Sequence, residues 1–145
     1  YMMAHQYEKV KEFENAEASY EKAYGIDPDY KEGLIEYAHF LFKINKNEKI
    51  LELTENLIND EKFKFDYYLL KGKAYMGMED YSEAIKNFNE GNKVYNSDIR
   101  LLNSLGFCYY KTGEKEKALS ALKASLNMNS GQLDIKKMVE ELEKK

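Results

Sequence analysis

The chain repeats itself every 34 residues. Gly72 and Gly106, Tyr75 and Tyr109, and Ala84 and Ala118 stand 34 apart; the same step backwards reaches Ala38, Leu41 and Ile50, and one more reaches Ala4, Tyr7 and Ala16. The register holds without any insertion. A period of this length constrains the fold more than any local motif does, because each unit is one supersecondary element that cannot bury its apolar face alone. Neighbouring units must stack into a single extended core.

Each unit reads as two helices. In the last one, residues 99–111 carry Leu101, Leu102, Leu105 and Tyr109 at helical spacing, and residues 115–126 carry Ala118, Leu119, Leu122 and Leu126 on one face. Gly113 fits a left-handed helix C-terminus. Asp27-Pro28-Asp29 and Asn96-Ser97-Asp98 supply cap and turn chemistry between units. When the unit is numbered so that its first small residue is position 8, that column holds Ala4, Ala38, Gly72 and Gly106. Position 11 holds Tyr7, Leu41, Tyr75 and Tyr109; position 20 holds Ala16, Ile50, Ala84 and Ala118; position 24 holds Tyr20, Thr54, Phe88 and Leu122; position 27 holds Ala23, Leu57, Gly91 and Ser125. A glycine inside a helix costs about 1 kcal/mol relative to alanine. Gly106 is expected to offset this by letting Ala118 and its helix come close, with the ring at position 11 filling the space beside them; burying such a side chain contributes about 1.5–3 kcal/mol.

These columns resemble the tetratricopeptide repeat family: small residues at 8, 20 and 27, aromatic residues at 11 and 24, and Pro28 at position 32 of the first unit. The resemblance implies an all-α fold, a right-handed α-solenoid of antiparallel helix hairpins. It divides the chain into four repeats over 1–130, namely 1–30 (short of its opening turn), a degenerate 31–64, 65–98 and 99–130, and a C-terminal capping helix over 131–145. In the second repeat Ile50 and Leu57 replace small residues and Thr54 replaces an aromatic one, so its hairpin is expected to spread or its second helix to shift. In the last segment Ile135, Met138, Val139 and Leu142 form one apolar stripe, while Lys136, Glu140 and Glu143 occupy the side where a further helix would pack. Residue 145 therefore reads as a natural end, whereas Tyr1, at position 5 of its repeat, reads as a cut into a longer chain.

Composition removes several functions. The net charge of −4 opposes nucleic-acid binding, where a basic face supplies most of the affinity. The period and the lack of a regular base-reading code oppose an RNA-reading array as well. No apolar run reaches the roughly 18 residues that span a bilayer. The one cysteine, Cys108, rules out an internal disulfide and reads as a small core residue. No zinc-protease, phosphate-loop or dinucleotide motif is present, so we expect neither an enzyme nor a cofactor. His5 and His39 share position 9, but helices about 8–10 Å apart do not bring two such side chains to one metal ion. Groove polarity is the expected role, a contact to an acidic partner the second.

In the resembled family the first helices line a concave surface through positions 2, 5, 6, 9, 12 and 13. Carried onto this chain, that set contains Tyr1, Met2, His5, Glu8 and Lys9 in the first repeat, and a partner-binding groove of Ile35, His39, Phe42, Leu69, Leu70, Lys73, Met76, Asn103, Phe107 and Tyr110. Contiguous exposed apolar side chains of this kind mark interaction sites. One branch of the family clamps the acidic tails of chaperones, with basic residues and asparagines at set positions. Those positions here hold Tyr1, His5, Glu36, Asp66 and Leu70 in one frame and Ile35, His39, Leu70, Arg100 and Ser104 in the other, and neither frame makes the clamp. The expectation is a non-catalytic protein–protein interaction module, an adaptor or scaffold holding an extended or helical partner segment with apolar anchors and basic flanks. The alternatives are self-assembly through the N-terminal face or the groove, and a regulatory domain of a larger enzyme or sensor.

Overall fold

The computed structural model describes residues 13–144. Eight α-helices follow in order: α1 (Phe13–Ile26), α2 (Lys31–Lys43), α3 (Asn47–Thr54), α4 (Lys64–Gly77), α5 (Tyr81–Val94), α6 (Ile99–Lys111), α7 (Lys115–Met128) and α8 (Leu133–Lys144); no strand occurs among the described residues. Three hairpins, α2–α3, α4–α5 and α6–α7, stack along the chain. The first helices pack on one another, α2 against α4 and α4 against α6, and α3 does not pack comparably on α5, nor α5 on α7. The elements that lie closer together form the inner layer of a curved array, so α2, α4 and α6 line the inside.

The hairpins close through a size exchange between positions 8 and 24. A Cβ built on Gly72 would lie 2.5 Å from the Phe88 ring, and one on Gly106 would lie 2.6 Å from Leu122. Gly106 thus makes room chiefly for Leu122; the nearest atom of Ala118, its carbonyl oxygen, is 3.5 Å away. In the second repeat the size difference shrinks, to Ala38 with Thr54, both buried. There the second helix deforms rather than simply spreading from its partner. α3 stops at Thr54, and Glu55–Asn59 continues as a 3₁₀ turn. The Thr54 hydroxyl donates to the carbonyl of Ile50 at 2.7 Å, a back-bond that bends helices. Ile50 and Leu57 are nevertheless fully buried.

The turns inside the hairpins share one backbone feature. Asn45, Glu79 and Gly113, all 34 apart, have φ of 63°, 64° and 81°. Glycine is comfortable there and asparagine tolerable, but glutamate bears the Cβ penalty of the left-handed region. Between hairpins, Asp98 caps α6 by accepting from the Leu101 amide at 3.2 Å, as the sequence leads one to expect. The first linker differs: Tyr30 is the residue before α2, and it makes no side-chain cap bond. α8 buries Ile135, Val139 and Leu142 against Ala118, Leu119 and Leu122 of α7 and leaves Lys136, Glu140 and Glu143 exposed.

Candidate functional site

Two columns of side chains cross the inner layer at successive 34-residue steps. Position 9 carries His39, Lys73 and Phe107; position 12 carries Phe42, Met76 and Tyr110. All six are half-buried, as are Ile35 and Asn103 at position 5. Leu69 and Leu70 do not join them. Both have 0% exposure. Leu69 packs with Leu101 and Leu105, and Leu70 with Leu34, Phe40 and Leu41. The reason lies in the position of α4, which is flanked by a first helix on each side. Large side chains at its positions 5 and 6 sink into the two seams instead of facing outward. Tyr1, Met2, His5, Glu8 and Lys9 lie outside the described residues.

The polar centre of this face is built around Lys73. Its Nζ donates to Nδ1 of His39 at 3.0 Å and stands 4.6 Å from the centroid of the Phe42 ring. With Nδ1 accepting, the neutral imidazole carries its proton on Nε2. Burial lowers the His39 pKa from its ordinary 6.5 to about 3, and the charges of Lys73 and Arg100 push the same way. Burial also lowers Lys73 to about 8, helped by Arg100 and Lys43. Arg100, the only arginine, holds Asp98 through Nε at 3.2 Å and Nη2 at 2.8 Å. Burial works against the Asp98 charge, but the bonds from Arg100 and the Leu101 amide outweigh it and keep the carboxyl below its ordinary range. Asp66 is half-buried and its pKa is raised by that burial.

Two further clusters continue the face. Tyr81 meets the Phe107 ring edge-on at 6.0 Å between centroids, and Lys111 lies 5.4 Å over it. Asn103 donates to Gln132 Oε1 at 2.7 Å, and Gln132 Nε2 donates to the Ser125 hydroxyl at 2.9 Å. Gln132 and Tyr81 escape a reading based on first-helix positions, since one precedes α8 and the other opens α5. Their signal lay only in the side chains they would reach. Cys108 is fully buried and burial pushes its thiol up to about 12, which leaves it a packing residue rather than a nucleophile. Among the described residues no three His, Cys, Asp or Glu side chains are placed to hold a metal ion, and no helix is long and apolar enough to cross a membrane.

Antiparallel hairpins in a fixed period, with an inner face left partly uncovered, define a helical-repeat solenoid. The family model described as tetratricopeptide repeat matches residues 1–30, 65–98 and 99–132, and the chain belongs to that family. The deformed second hairpin lies in the stretch between those matches. Among solved structures the fold is similar to a thermophilic tetratricopeptide repeat protein of Thermus thermophilus, TTC0263, at 20% identity and a TM-score of 0.82, covering 97% of this chain and 78% of that one. It is also similar to MamA (residues 41 to the end) from Desulfovibrio magneticus RS-1, at 18% identity and a TM-score of 0.73 over 92% of this chain and 75% of that one. The first tetratricopeptide domain of human RPAP3 aligns at 13% identity and a TM-score of 0.69 over 77% of this chain and 87% of that domain. No curated protein matches the chain. The repeats make this a protein-interaction or scaffold module of a generally non-catalytic fold family.

Proposed function

We propose that the inner face of this module holds a segment of a protein partner, so that the chain works as an adaptor or assembly scaffold. The observation that supports this reading is the pair of columns at positions 9 and 12, where Phe42, Met76, Phe107 and Tyr110 remain half-exposed around Lys73. Aromatic side chains and methionine are enriched at protein interfaces, and half-covered rings flanked by charge provide both area and orientation. Leu70 is unsuited as a probe of this face, because a charge there would enter the core. Met76→Glu with Tyr110→Glu places charges on the half-exposed surface instead. Affinity capture with this double variant should lose the partner that the parent retains, while Lys86→Glu on the exposed side of α5 keeps it. Equal capture by parent and double variant would remove the groove from consideration.

A further inference from the structure

The reading above leaves open what kind of segment the inner face receives, and Lys73 narrows it. An ammonium has three donors. One is taken by His39 Nδ1 at 3.0 Å, and the Phe42 ring face covers a second direction at 4.6 Å. Both partners are neutral. Among the described residues no carboxylate lies within ion-pair distance of Lys73, and the cations Lys43 and Arg100 bear on it. Asp98, which bears on His39, and Asp66, which bears on Arg100, are otherwise placed. Asp98 is held by two nitrogens of Arg100, and Asp66 is half-buried with its charge disfavoured by that burial. Lys73 therefore stands on the inner face between neutral partners, with no opposite charge of its own among the described residues. A partly desolvated cation without an opposite charge costs free energy that a bound anion recovers. Half-exposed apolar side chains, Phe42 and Met76, stand on either side of it in the neighbouring column.

Resting on the groove reading, we infer that Lys73 is the docking point for a side-chain carboxylate of the partner, carried on a segment whose neighbouring apolar residues seat on Phe42 and Met76. The segment is acidic at its centre. The basic flanks expected from the acidic edge of the groove lie outside this central contact.

The test uses the whole chain and two displayed peptide libraries, one of internal segments tethered at both ends and one ending in free C-termini. Internal segments should enrich for Asp or Glu within a few residues of an apolar side chain. Replacing that acid by Gln in the selected peptide should weaken binding at least tenfold. Lys73→Met should do the same with unchanged circular dichroism and melting, and the peptide substitution decides the matter should this variant fold poorly. An enriched motif without an acid, or Gln binding as well as Glu, overturns the carboxylate contact and leaves the groove reading standing. Enrichment only among free C-termini overturns the side-chain source. Selected peptides that bind the Met76→Glu/Tyr110→Glu variant as well as the parent overturn the groove reading itself, and failure of both libraries to enrich anything overturns both.

Discussion

Gly72→Ala tests whether close helix approach, rather than helix propensity, sets the stability of the hairpins. In an unconstrained helix the change would stabilise by about 1 kcal/mol. Here the new Cβ would fall 2.5, 2.6 and 2.9 Å from Cε1, Cδ1 and Cζ of Phe88, whose ring has 0% exposure and is rigid. Forcing an extra methyl into such a core costs about 1–3 kcal/mol. The steric term exceeds the propensity term, and a net loss of about 1 kcal/mol is expected. Gly25→Ala is the internal control: nothing stands within 4 Å of its Cβ, so it should gain stability, by up to about 1 kcal/mol. Urea unfolding followed by circular dichroism gives both values from the midpoints, provided the slope is unchanged. Gly72→Ala combined with Phe88→Leu should recover at least about 1 kcal/mol relative to the sum of the single changes, since the two sites are in contact. A Gly72→Ala protein as stable as the parent, or more so, would refute the size exchange between positions 8 and 24.

The remaining predictions concern the turns and the polar centre. Glu79→Gly should stabilise by about 0.5–1 kcal/mol by relieving a left-handed residue at φ 64°, and Gly113→Ala should destabilise by about 1 kcal/mol at φ 81°; thermal melting checks both. His39 has a folded pKa of about 3 against an ordinary 6.5, so the unfolded chain takes its proton first. Its contribution is complete above pH 6.5 and is lost as pH falls toward 3, with a slope of at most about 1.4 kcal/mol per pH unit. The acid limb of stability against pH should be shallower in His39→Gln than in the parent. For Lys73, lowered to about 8 from 10.5, the unfolded state holds the proton longer, so its burial penalty is relieved as pH rises through that interval. Competitive acylation, read by mass spectrometry, should place the Lys73 midpoint near 8.

The helical array was legible because its signal is repeated: small and large residues recur at 34-residue steps, and Gly113 marks one turn openly. The equivalent turns at Asn45 and Glu79 were hidden, since only the backbone shows that a glutamate stands in the left-handed region. The second repeat announced a defect through Thr54, but the form of that defect, a 3₁₀ turn, depends on where the hydroxyl finds an acceptor. For the groove, one register applied to every first helix placed Ile35, Phe42, Met76, Phe107 and Tyr110 on a half-exposed face. It misplaced Leu69 and Leu70 because it treats each repeat alone and ignores that α4 has a first helix on both sides. The contact between Lys73 and His39 was open to inference from their shared column. Helices separated by about 8–10 Å are too far apart for two histidines, yet a lysine is long enough to cross that gap.

The proposed function places the partner on the inner face and not on the outer layer. Nuclear magnetic resonance of methyl and aromatic groups, recorded as the captured partner is titrated in, tests it most directly. Ile35, Met76 and Phe107 should shift on binding while Ile85 of α5 and Leu119 of α7 stay in place. Shifts confined to α3, α5 and α7, with Met76 and Phe107 unmoved at saturation, would contradict it.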